Sequence, residues 1–86
     1  MLNINTMIPE EIELMNVLKK RVNDAINNIE NALKTCDREK IAEAMQKGMR
    51  LVNDEYVTDY VEYDTRRDLS SWIDYCCSYL AATMEG

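Results

Sequence analysis

The 86-residue sequence contains no histidine and no phenylalanine, and it has only two glycines and one proline. Without histidine the chain lacks the one side chain whose ordinary pKa lies near neutrality, so the commonest general acid and base of enzymes is missing. Gly48 and Gly86 cannot form the glycine-rich loops that bind phosphate groups. These absences predict a protein that is not an enzyme and binds no cofactor.

Cysteine is also scarce, with Cys36 and the adjacent pair Cys76 and Cys77. An odd number with one adjacent pair does not form the disulfide framework of a secreted domain, and no CxxC pattern indicates a metal site. We therefore expect no metal, and we expect both members of the pair to be small buried hydrophobic residues. The first residues show no signal-peptide pattern and no long apolar run is present, so the sequence predicts a cytoplasmic protein.

Basic residues are fewer than acidic ones: the chain has 10 Lys and Arg and 16 Asp and Glu, so its net charge is −6. Direct binding to nucleic acid or to an anionic membrane needs clustered positive charge, so neither is expected. Hydrophobic residues make up 47% of the chain and charged residues 30%, as in folded proteins. Residues 1–86 are predicted to form a single acidic helical domain.

The shortage of glycine and proline leaves little material for hairpins, and apolar residues recur at steps of three and four. One stripe predicts a first helix over about 9–35, with Pro9 at its first position. Asp37 is a candidate N-cap for a second helix over about 37–55, or to 63. A third helix is predicted over about 66–84, capped by Thr65 or Asp68. The expected fold is all-α, a small bundle of three helices in which the first two form an antiparallel hairpin.

Residues 56–63 are ambiguous, because their β-branched and aromatic side chains favour a strand while their apolar spacing continues the helix. We favour a helix. A strand would pair only with the segment Leu2–Asn5 or across a dimer axis.

The first helix is long for so short a chain. Its 27 residues span about 40 Å, whereas a compact globule of this length has a diameter of about 30 Å. Either the helix breaks, or the molecule is an elongated hairpin, or a second copy covers the excess apolar stripe. A homodimer is therefore possible.

Charge and aromatic residues are both concentrated after residue 50. Residues 51–86 contain all of the aromatic residues and the whole charge imbalance, with Arg66 and Arg67 as their only bases. Acids interleaved with tyrosines suit a surface that docks on a basic protein. The alternative is that the tyrosines fill the core in place of phenylalanine. The candidate partner-binding residues are Asp54, Glu55, Tyr56, Asp59, Tyr60, Glu62 and Tyr63. If this segment is one helix, Glu55, Asp59 and Glu62 share a face.

Asparagines form a second stripe along the first helix. Asparagine is a poor helix former, and a merely solvated face more often carries Glu and Lys. Amides both donate and accept hydrogen bonds, so this stripe could bind a partner or its own copy. The alternative is that asparagine enrichment only reflects an AT-rich genome. The candidate dimer or second-interface residues are Asn16, Asn23, Asn27 and Asn31.

These observations lead to a non-enzymatic protein–protein interaction module as the predicted function. The leading hypothesis is a small acidic inhibitor, of the kind carried by phages or mobile elements, that occludes a basic, nucleic-acid-binding surface of a target protein. The alternatives are an immunity protein or antitoxin that neutralises a basic toxin, and a homodimeric helical scaffold or assembly subunit.

Overall fold

The structure, a computed structural model, describes residues 8–84, and they form four α-helices. The helices are α1 (Pro9–Thr35), α2 (Arg38–Val52), α3 (Glu55–Tyr60) and α4 (Tyr63–Ala82). Over this range the chain has no strand, so the all-α prediction is confirmed. The predicted bounds of the first helix are also confirmed, whereas the predicted bundle of three helices has four.

The hairpin between α1 and α2 is built from local signals. Cys36 ends α1 in the left-handed region, at φ 56°, and its N–H donates to the Leu33 carbonyl. Asp37 then caps α2, because its Oδ1 accepts hydrogen bonds from the backbone N–H groups of Glu39 and Lys40 at 2.9 and 3.4 Å. The connection is only two residues long, so α1 and α2 are antiparallel neighbours as predicted.

The second and third predicted helices have different bounds in the structure. The second helix does not continue to 55 or 63, because α2 ends at Val52 and Asp54 caps a separate short helix. The strand alternative for residues 56–63 is wrong for the same reason, and its pairing segment Leu2–Asn5 lies outside the described residues. The last helix covers Tyr63–Ala82 rather than 66–84, with Glu62 at its N-cap position.

The apolar stripe of α1 is buried within one chain, against the other helices. Its buried residues are Met15, Leu18, Val22, Ala25, Ile26, Ile29 and Ala32. α1 is unbroken, and the molecule measures 53 × 18 × 16 Å along its principal axes. Of the three outcomes expected for a helix of this length, the structure shows an elongated bundle. Because the other helices of the same chain cover this stripe, a second copy is not needed to bury it. The homodimer stays a prediction.

Three helices meet most closely at Gly48, a buried residue of α2. A methyl group at this position would lie 3.3 Å from Cδ1 of Leu69 and of Ile73 on α4 and 3.4 Å from Cδ1 of Ile29 on α1. These separations are at the short end of van der Waals contact. Glycine therefore lets α2 approach both α1 and α4 at one level of the core.

α4 runs parallel to α1, as three contacts along its length show. Near its start Glu62 lies 3.6 Å from Lys19, in its middle Trp72 and Leu33 line one groove, and near its end the Leu80 carbonyl accepts a hydrogen bond from Arg38. The two helices therefore run in the same direction, and α4 begins beside Lys19, about 15 Å along α1 from Pro9.

The adjacent cysteines of α4 have different surroundings. Cys76 is fully buried, as predicted, and burial raises the pKa of its thiol. Cys77 is exposed, with its Sγ 3.4 Å from Sδ of Met45, so the prediction that it is buried is wrong. Successive residues on a helix point about 100° apart, and only one of this pair faces the core. None of the described helices is long and apolar enough to cross a membrane.

Candidate functional site

The predicted partner-binding residues lie in one continuous segment, residues 54–63, which we call the α3 corner. It comprises α3, the cap before it and the turn into α4. Two valines attach it to the bundle, since Val57 is 0% exposed and Val61 is 2% exposed. A six-residue helix is too short to be stable by itself, so these two side chains hold the corner in place.

Asp54 has a structural part at this corner. Its Oδ1 accepts hydrogen bonds from the backbone N–H groups of Tyr56 and Val57, at 2.8 and 3.4 Å. These bonds satisfy donors that have no partner within the first turn of a helix. Asp54 is exposed and acidic, as the interface prediction requires, but its first role is to begin α3.

Four of the predicted residues point outward from the corner. Tyr56 is 61% exposed and Tyr63 is 64% exposed, and Glu55 and Asp59 are also exposed. The Arg66 guanidinium lies 5.6 Å from the centre of the Tyr63 ring and donates through Nε to the Val61 carbonyl at 3.0 Å. Arg66 thus covers one face of the Tyr63 ring, while most of the side chain is exposed to solvent.

Tyr60 faces the bundle instead. It is half-buried and packs against the core, and its hydroxyl donates to Oε2 of Glu11 at 3.3 Å. Partial burial, followed by the neighbouring Glu11 carboxylate, raises the pKa of Tyr60. For Tyr60 the alternative of a core residue describes the structure better than that of an exposed partner-binding residue.

The predicted row of like charges is divided between two helices. Glu55 and Asp59 lie in α3, but Glu62 lies beyond its end and forms an exposed ion pair with Lys19 of α1. The expectation that these three acids share one helical face is therefore wrong, because α3 ends at Tyr60. Glu62 joins the corner to α1.

Acids from the start of α1 also belong to this end of the molecule, and sequence reasoning missed them. Glu11 contacts Tyr60, and Glu10 and Glu13 are exposed on the same turns of α1. The first 50 residues are neutral overall, so their charge gave no signal. Only the fold brings the Glu11 carboxylate, 49 residues away from Tyr60 in sequence, to the α3 corner.

The four candidate asparagines, Asn16, Asn23, Asn27 and Asn31, are all exposed on α1. They do not converge on one point. Asn31 borders a depression between α1 and α2, whereas Asn23 borders a depression between α1 and α4. The stripe thus presents exposed amides along α1, and it stays a predicted interface.

A groove runs between α1 and α4, away from the α3 corner. Its volume is about 640 Å³. We call it the α1/α4 groove, and its lining residues are Glu30, Leu33, Lys34, Asp68, Ser71, Trp72 and Tyr75. The rings of Trp72 and Tyr75 meet edge to face, with centroids 6.2 Å apart. No candidate residue from the sequence predictions lies in this groove.

Within residues 8–84, no group of three or more cysteine, aspartate or glutamate side chains is arranged to hold a metal ion. Comparison of the chain with protein-family models, with curated proteins and with solved structures gave no match. The function must therefore be argued from the geometry and charge of the molecule itself.

Proposed function

We propose that this protein is a cytoplasmic, non-enzymatic inhibitor whose α3 corner docks on a basic, nucleic-acid-binding surface of a target protein. The observation that carries the proposal is the exposure of Tyr56 and Tyr63, at 61% and 64%, beside exposed Glu55 and Asp59. Tyrosine offers a rigid, amphipathic contact surface that loses little conformational entropy on binding.

The core does not use these two tyrosines. The inner side of the corner is closed by Val57 and Val61, and Tyr60 packs behind them. A tyrosine that served only to replace phenylalanine in the core would be buried as Tyr60 is. Large aromatic side chains left on a polar surface are typical of protein–protein interfaces.

Charge favours a basic partner. The chain has a net charge of −6, and Glu10 and Glu13 are exposed in the turns of α1 from which Glu11 reaches the corner. Such a surface attracts a basic protein over several ångströms and accelerates association, most strongly at low salt. Proteins that bind nucleic acid carry clustered Lys and Arg, so an acidic corner of this kind can occupy the same surface. That inhibitors carried by phages or mobile elements are often small and acidic is an analogy that agrees with this reading.

The proposal is tested by capturing partners from bacterial lysate with three forms of the protein. A corner variant combines Glu10→Gln, Glu13→Gln, Glu55→Gln and Asp59→Asn, which leaves the Asp54 cap, the Glu11 hydrogen bond and the Lys19 ion pair in place. A control variant combines Asp24→Asn, Glu39→Gln, Glu43→Gln and Asp74→Asn. It has the same net charge, but its changes lie on other surfaces.

We expect the wild type and the control variant to retain the same basic protein and the corner variant to lose it. High salt, and added nucleic acid that the target binds, should each release that protein from the wild type. A partner that the corner variant retains, or one that neither salt nor nucleic acid releases, would refute the proposal. A captured basic toxin would identify the protein as an antitoxin or immunity protein with the same mode of binding.

A further inference from the structure

We propose that the α1/α4 groove is the binding site for a second copy of this chain, which makes the protein a homodimer through a face separate from the α3 corner. This inference does not depend on the proposed function. It rests on three features of the groove, namely its aromatic residues, the signs of its charges and the amides along its edge.

The aromatic residues give the groove its apolar surface. Trp72 is half-buried, and Tyr75 is 59% exposed beside it, with Leu33 across the groove on α1. Tryptophan and tyrosine contribute most of the binding energy in many protein interfaces when a partner covers them. The groove therefore offers an anchor that the single chain leaves partly in solvent.

Charge decides which partner fits this face. Two copies that each carry a net charge of −6 repel one another, so a face that carries both signs favours their association more than a wholly acidic face does. The α1/α4 groove is lined by Glu30 and Lys34 on α1 and by Asp68 on α4, and Arg67 lines the adjoining depression. In a two-fold dimer the same patch is present on both sides, so each lysine can face a carboxylate of the other copy. The α3 corner, where acids predominate, suits a basic partner instead.

Asparagine side chains beside the groove can also pair with their own copies in a two-fold dimer. Asn23 lines a depression that shares Asp68 and Ser71 with the groove, and Asn27, one turn further along α1, is exposed. An amide can donate to and accept from an identical amide, as a two-fold interface requires. Two of the asparagines predicted to form an interface, Asn23 and Asn27, thus lie on α1 beside the groove.

The first test compares two exposed tyrosines by sedimentation equilibrium of the purified protein. Tyr75→Ser removes an aromatic residue from the groove, and Tyr56→Ser removes one of nearly equal exposure, 59% against 61%, from the α3 corner. We expect the dimer dissociation constant to rise about tenfold or more for Tyr75→Ser and to stay unchanged for Tyr56→Ser. Equal constants for Tyr75→Ser and the wild type would refute the proposal.

The second test reverses charges on each side of the contact. Lys34→Glu makes the groove wholly acidic on α1, and the double change Glu30→Lys and Asp68→Lys makes it basic. Each variant should be monomeric alone, while a mixture of the two should form a heterodimer. Lys47→Glu, which changes the same charge on α2, should leave the dimer intact. A wild type that stays monomeric up to about 1 mM, or a mixture that fails to associate, would overturn the inference.

Discussion

The three long helices and the α3 corner are stabilised in different ways. α1, α2 and α4 bury an apolar stripe against one another over 27, 15 and 20 residues. α3 has six residues and is held by two buried valines, one cap, one tyrosine hydrogen bond and one exposed ion pair. The long helices thus resist change through many shared contacts, whereas the corner depends on a few individual side chains. Most residues of the corner are exposed.

The largest loss of stability is expected from a change in the core of the long helices. Leu69 of α4 is 0% exposed and lies against the Gly48 contact, so Leu69→Ala should lower the free energy of unfolding by about 2–5 kcal/mol. Urea unfolding followed by circular dichroism measures the change. Ser78→Ala, an exposed change on the same helix, should stay within about 0.5 kcal/mol of the wild type. Equal effects of the two changes would contradict the assigned core.

A smaller effect is expected when the attachment of the corner is weakened. Val57→Ala removes two methyl groups from a fully buried side chain. The change should lower the free energy of unfolding by about 1.5–3 kcal/mol. We expect α3 to open without unfolding the long helices, so its amides should be less protected from hydrogen exchange than those in the middle of α1 in the wild type, and Val57→Ala should accelerate their exchange further. Equal protection of α3 and of the middle of α1 would show that the corner and the long helices unfold as one unit.

The cap of α3 should matter less than its buried valine. Asp54→Ala removes the acceptor for two backbone N–H groups and should cost about 1 kcal/mol, with α3 exchanging faster. Asp54→Asn keeps a cap and should restore most of that loss while it removes the charge. If Asp54→Asn is as damaging as Asp54→Ala, then charge and not capping explains the role of Asp54.

The smallest predicted effect depends on pH. Tyr60 has a raised pKa in the folded chain, so it holds its proton longer when folded than when unfolded. Its contribution is complete below the unfolded value of about 10 and is lost as the pH rises through the folded pKa. Tyr60→Phe should change stability little near pH 7 and should reduce the fall in stability above about pH 10. Urea unfolding of both proteins at these two pH values is the measurement. An identical decline in both would contradict the role assigned to the Glu11 contact.

Local signals in the sequence predicted the long helices well. Pro9 and the stripe of α1 indicated that helix from 9 to 35, and Asp37 marked the start of α2. The breaks on either side of α3 were missed because apolar residues keep helical spacing from Val52 to Tyr63, so periodicity ran through them. Asp54 was assigned to an acidic surface, although an aspartate is equally a helix cap.

The candidate site was harder to predict than the fold, because its contacts are distant in sequence. Glu11 and Tyr60 are 49 residues apart, and no local pattern connects them. The same holds for the α1/α4 groove, where Leu33 and Trp72 come together only through packing. Sequence reasoning identified the acidic and tyrosine-bearing segment, but it could not separate Tyr60, which faces inward, from Tyr56 and Tyr63, which face solvent.

The parallel arrangement of α1 and α4 has a further electrostatic consequence. The peptide dipoles of a helix sum to a partial positive charge at its N-terminus, and the N-termini of α1 and α4 point in the same direction along the bundle. Glu10 and Glu11 in the first turn of α1 and Asp64 in the first turn of α4 sit in that field. Each such placement stabilises a carboxylate by about 0.3–1 kcal/mol at low salt. The backbone of each helix thus offsets part of the repulsion among the acids near its start.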